Sequence, residues 1–93
     1  MSAPDRPPVR HEFRIEADPD LDVLLRILGA FAVQGATLAD VRHGQGEAGA
    51  WTVVEVEGLE PERAELLRLR LLQAPCVRDV RLRTCHTLAI AAK

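Results

Sequence analysis

Residues 18–37 constrain this chain more than any other stretch. Leu21, Leu24, Leu28 and Phe31 fall at i, i+3, i+7 and i+10, with Leu25, Ile27 and Ala32 widening the stripe. That spacing places them on one face of an α-helix. Both ends of the helix are marked. Asp18 or Asp20 can accept hydrogen bonds from the free N–H groups of the first turn, where the helix dipole also favours negative charge. Gly35 supplies the left-handed residue that commonly closes a helix. Leu21–Val33 is therefore predicted to be helical with one face for burial, and the other elements must supply the surface that receives it.

The surroundings read as sheet. Phe13, Ile15 and Ala17 alternate with Glu12, Arg14 and Glu16, the period-two pattern of a strand with one buried and one wet face. Thr37–Arg42 alternates less cleanly, with Leu38 as its core candidate, and is expected at an edge. The glycine-containing stretch His43–Ala50 is expected to be a flexible hairpin connection to Trp51–Glu57, the most hydrophobic strand and hence a central one. Pro61 beside Glu60 and Glu62 opens a second helix, with Ala64, Leu67, Leu71 and Leu72 facing inward as far as Gln73. Pro75 ends it. Val77, Val80 and Leu82, interleaved with Arg78, Asp79, Arg81 and Arg83, make a fourth strand.

The order β-α-β-β-α-β, with right-handed crossovers, predicts an α+β, ferredoxin-like sandwich: a four-stranded antiparallel sheet with two helices on one face. The expected division is an N-terminal arm (1–8), one domain (9–83) and a C-terminal tail (84–93), within which Leu88–Ala92 is apolar enough to cover Trp51. On the open face, Glu12, Arg14 and Glu16 should oppose Asp79, Arg81 and Arg83, with opposite charges paired across neighbouring strands. That describes a solvated surface.

Composition narrows the function. A net charge of −2 provides no general attraction for phosphate backbones, and Phe13, Phe31 and Trp51 are the only aromatic residues. Nucleic acid is not an expected partner. No apolar run approaches the roughly 20 residues that span a bilayer, and 1–8 has no apolar signal-peptide core, so a cytoplasmic location is expected. Cys76 and Cys85, separated by an extended segment, are too far apart to bridge and are expected to be reduced.

Catalytic motifs are weak. Gly44-Gln45-Gly46-Glu47-Ala48-Gly49 spells GxGxxG, but a dinucleotide site needs a helix after it and here a strand follows. Cys85 and His86 offer two metal ligands where structural zinc needs four, and His11 and His43 lie in other elements. Ser2 is the only serine, and neither cysteine has a base spelled out around it. Asp18, Asp20 and Asp22 read first as helix caps. No catalytic residue, metal or cofactor is assigned.

The predicted topology, together with Arg26-Ile27-Leu28-Gly29-Ala30-Phe31-Ala32-Val33-Gln34-Gly35-Ala36-Thr37-Leu38, resembles the ACT domain, the regulatory module of amino-acid metabolism. There the corresponding stretch reads R-I-x-G-x-F-x-x-x-G-x-N-I. Within the family the chain is most similar to the small subunits of acetolactate synthase, particularly the short form. The resemblance implies a non-catalytic subunit that forms a homodimer through its first helix and second strand and binds a catalytic large subunit. It also implies an amino-acid effector held between the first β-α loop of one protomer and the helix-strand turn of the other. By position, these are Asp18 and Asp22 on one side and Gly35, Ala36 and Thr37 on the other. The family's Pro-Gly before the helix is replaced by Leu21-Asp22, which adds a negative charge where an effector carboxylate would approach. Two other readings remain: a stand-alone amino-acid sensor acting on another enzyme or regulator, and a small dimeric ferredoxin-like enzyme.

Overall fold

Alternation of inward and outward side chains shapes the sheet, and two helices close its inward side. The computed structural model describes residues 9–86; the predicted N-terminal arm and the Leu88–Ala92 cover lie outside the described residues. The elements are β1 (Val9–Ala17), α1 (Leu21–Val33), β2 (Thr37–Gly46), β3 (Gly49–Glu57), α2 (Pro61–Leu72) and β4 (Val77–His86). The four strands form one antiparallel sheet in the order β2-β3-β1-β4, so β3 and β1 are central and β2 is an edge. This is the α+β ferredoxin-like sandwich that the pattern predicts.

The core lies between sheet and helices. Phe13 and Ile15 from β1, Val54 and Val56 from β3 and Val80 from β4 meet Val23, Ile27 and Phe31 from α1 and Ala64, Leu67 and Leu71 from α2. Phe13 and Phe31 stand edge to face with ring centres 4.9 Å apart, a geometry worth about 0.5–1.5 kcal/mol beyond the area it buries.

Four expectations need correction. The row that α1 buries is Val23, Ile27 and Phe31; Leu24 and Leu28 are half-buried, Ala32 is exposed, and Leu25 is 59% exposed. Apolar residues cover more than half of this helix, so spacing alone does not decide which row faces the sheet. The glycine-containing connection is mostly strand: β2 and β3 pair as far as Gly46 and Gly49, leaving Glu47 and Ala48 as the turn. Main-chain pairing needs no particular side chain, so glycines do not prevent it. β4 continues past Arg83 to His86.

On the open face Glu12 does oppose Arg83, but Arg14 opposes Arg81 and Glu16 opposes Asp79. Like charges therefore sit side by side across β1 and β4 at two of the three positions. Glu12 pairs across to Arg83 at 3.5 Å and along its own strand to Arg14 at 3.4 Å, while Asp79 reaches along β4 to Arg81 at 3.2 Å.

Candidate functional site

The two ends of α1 carry the residues that the family resemblance singles out. At its start, the Asp20 side chain accepts a hydrogen bond from the Asp22 backbone N–H at 3.0 Å, making Asp20 the cap. The Asp22 carboxylate is exposed in the first turn. Asp18 has a different task. Its Oδ1 accepts from Arg78 Nη2 at 2.8 Å and Nε at 3.1 Å, while Arg78 Nη1 donates to the Ala48 carbonyl at 2.7 Å. Arg78 thus ties the β1-α1 loop to the β2-β3 turn.

That tie is cramped. A Cβ at Gly49, whose φ is +142°, would stand 2.9 Å from the Ala17 carbonyl oxygen, closer than packed atoms tolerate, in a region of φ that favours glycine. A second backbone link, Asp18 N–H to the Cys76 carbonyl at 2.9 Å, fixes the loop against the start of β4.

At the far end, Gly35 adopts φ +74° and its N–H bonds to the Ala32 carbonyl, while the Ala36 N–H reaches Phe31. Ala36 packs against the core, and exposed Thr37 begins β2 opposite Glu57. Between Asp22 and Gly35 lies a helix of 13 residues, about 20 Å at the usual rise. Within one chain the structure therefore does not bring Asp18 and Asp22 together with Gly35, Ala36 and Thr37. No small effector spans that distance.

The flank beside β2 is apolar. Residues on a helix advance by about 100° each, so Leu24, Leu25, Leu28 and Ala32 share the side of α1 that turns away from the groove shared with α2, which Val23, Ile27 and Ala30 line. In β2 every second residue that faces the helices should be covered, yet Leu38 is 44% and Val41 37% exposed. One edge of β2 pairs with β3; its other edge carries no strand among the described residues. An unpaired edge next to exposed leucines is a template for another strand and helix.

His11 escaped the reading by residue type. It occupies the inward phase of β1 and is fully buried, with Nε2 at 2.7 Å from the Leu59 carbonyl and Nδ1 at 2.9 Å from the Thr84 hydroxyl. Since a carbonyl only accepts, Nε2 carries the proton and Nδ1 accepts from Thr84. Its signal was its place in the alternation His11, Phe13, Ile15. On the open face, Arg10 bonds to Glu57 and Glu55, and chiefly the Glu57 hydrogen bond raises its pKa above the ordinary value.

Among the described residues no group of three or more His, Cys, Asp or Glu side chains is arranged to hold a metal ion. Cys76 and Cys85 are free thiols. No helix among them is long and apolar enough to cross a membrane.

Solved structures show the same fold. The ACT domain of a GTP pyrophosphokinase from Chlorobium tepidum superposes with a TM-score of 0.69 at 13% identity, covering 82% of this chain and 99% of that one. The C-terminal domain of the MgtC protein from Mycobacterium tuberculosis superposes with a TM-score of 0.67 at 20% identity, covering 90% of this chain and 95% of that one. No curated protein has a matching sequence. A family model described as an ACT-like domain matches residues 5–89, nearly the whole chain, and the chain therefore belongs to the ACT-like domain family, whose members are typically regulatory, ligand-binding modules.

Proposed function

We propose that this protein is a non-catalytic regulatory subunit of amino-acid biosynthesis, acting in the cytoplasm as a homodimer that binds the catalytic large subunit of acetolactate synthase or a close counterpart. The unpaired edge of β2, on which Leu38 and Val41 stand exposed, carries this reading. Pairing β2 with its equivalent in a second protomer satisfies the free edge, continues the sheet to eight strands and covers the apolar flank of α1. It also supplies the approach that one chain lacks, setting the Asp18–Asp22 loop of one protomer near the Gly35–Thr37 turn of the other.

Electrostatics then set the terms for an effector. Asp18 is neutralised by Arg78, but Asp20 already occupies the Asp22 N–H and Asp22 adds a free carboxylate. A carboxylate ligand is repelled there and an ammonium group is attracted. A branched-chain amino acid would bind weakly, through its ammonium, or the site would serve only to hold the subunits together.

Calorimetric titration with valine, leucine and isoleucine, followed by pull-down of the acetolactate synthase large subunit, tests the proposal. Capture of the large subunit supports it whether or not an amino acid binds. A second reading, an amino-acid sensor for a different enzyme, draws support from the ACT neighbour that belongs to a GTP pyrophosphokinase. Saturable amino-acid binding without affinity for the large subunit selects it.

A further inference from the structure

The open face of the sheet is banded. Reading across the strands in order β2-β3-β1-β4, one row is Gly44, Trp51, Glu16 and Asp79, and the next is Arg42, Val53, Arg14 and Arg81. An acidic row thus lies beside a basic one, the two separated by about 6.7 Å, the length of two strand residues. Like charges directly opposite on neighbouring strands are destabilising. Each arginine of the basic row is held by a carboxylate two residues earlier on its own strand: Asp40 to Arg42, Glu12 to Arg14 and Asp79 to Arg81, at 3.2–3.4 Å. Glu16 has no ion-pair partner among the described residues.

We propose that this face docks onto a second copy of the chain, related by a two-fold axis that runs across the strands midway between the two rows. Such a rotation keeps each strand over its own counterpart and exchanges the rows. Glu16 then faces the second copy's Arg14, Asp79 faces its Arg81, and Trp51 lies over its Val53. Charge complementarity follows from symmetry alone, because a two-fold axis requires a surface to complement itself. A foreign partner would have to carry the same bands by coincidence.

The shape agrees. Trp51 stands 46% exposed, whereas Val53 on the same face is only 7% exposed. Val53 lines a depression of about 130 Å³ with Arg14, Glu16, Trp51, Asp79 and Arg81; the indole of Trp51 lies over Gly44 of its own chain, where a Cβ would collide with it, and presents its outer side to the second copy. Stacked sheets lie about 10 Å apart, which leaves room for one interleaved layer of side chains. Four strands at about 4.8 Å and some 20 Å of strand length give roughly 400 Å² per copy. That is below the roughly 800 Å² per partner of a standard interface, so the contact is weak and salt-sensitive. It is distinct from pairing through α1 and β2, which leaves Trp51 where it is.

Trp51 is the only tryptophan, so its emission reads this face and no other. The test follows emission wavelength and acrylamide quenching as protein concentration rises from about 1 μM to about 1 mM, at low and high salt. The expected result is a blue shift and loss of quenching with concentration, reversed by salt. Arg14→Glu and Glu16→Arg should each weaken association about tenfold or more, and the two together should restore it, because the rows still exchange. Circular dichroism verifies that each variant is folded. Quenching of Trp51 that is constant and high at every concentration overturns the proposal. Protection that is independent of concentration and lost when residues 87–93 are removed overturns it in favour of the C-terminal segment. Folded single variants without effect, or a double variant without restoration, overturn it as well.

Discussion

The two faces of the same sheet obey different rules. On the face beneath the helices, neighbours across the strands are uncharged and mostly apolar: Phe13 lies between Val54 and Leu82, and Ile15 between Thr52 and Val80. On the other face, like charges stand opposite each other at Arg14–Arg81 and Glu16–Asp79, and ion pairs run both along the strands, as from Glu12 to Arg14, and across them, as from Glu12 to Arg83 and from Arg10 to Glu57. Burial punishes a misplaced side chain by several kcal/mol, while an exposed charge pair contributes at most about 1 kcal/mol. The covered face is therefore set by folding. Folding leaves the open face largely unconstrained.

Substitutions on the covered face should break the fold. Phe13→Ala or Phe31→Ala removes one half of the edge-to-face pair and is expected to cost about 3–5 kcal/mol in urea unfolding. His11→Ala follows. It leaves the Leu59 carbonyl without its donor in a buried place and should cost about 1–3 kcal/mol. A smaller loss of the same kind would show that water reaches the site.

At the rim between the faces, Gly49→Ala forces a side chain into strained φ and against the Ala17 carbonyl, for an expected loss of about 1–3 kcal/mol. Gly46→Ala, with no atom within 4 Å of the new Cβ, should change stability by less than about 0.5 kcal/mol. Equal losses at the two glycines would contradict the crowding at Gly49.

Charges on exposed surfaces should matter least for folding. Arg14→Ala or Arg81→Ala, measured at low protein concentration, is expected to shift unfolding by less than about 0.5 kcal/mol. Glu65 gives the corresponding pH test on α2. The hydrogen bond from Arg68 lowers its pKa below the ordinary glutamate value. A lowered folded pKa means that the pair contributes stability above the unfolded value and loses it as pH falls through the folded one. The contribution therefore disappears only on acidification below the ordinary glutamate range, and Glu65→Gln should remove that part of the acid-side slope in thermal unfolding.

The same contrast explains what was legible in the sequence. Element order, edge and central strands, and the Ala64, Leu67, Leu71 row of α2 were readable because each rests on burial, which the apolar pattern records. The rotation of α1 was not, since Leu24, Leu25 and Leu28 compete with Val23 and Ile27 for the sheet and only packing against β3 and β1 decides between them. The length of β2 through Gly44 and Gly46 was hidden because main-chain pairing leaves no mark in residue type. At the candidate site, the cap and the Gly35 turn were readable as helix ends. The Asp18–Arg78–Ala48 tie was not, because it depends on the register shift that brings Ala17 opposite Val77.

The most direct test of the account is the mass in solution, by size-exclusion light scattering at about 1 M salt, where a Debye length of about 3 Å suppresses docking through the charged face. Pairing through α1 and β2 predicts twice the chain mass of 10.2 kDa, reduced to a folded monomer by Leu38→Arg with Val41→Arg. A wild-type monomer under these conditions, or a dimer unaffected by the two substitutions, would contradict it.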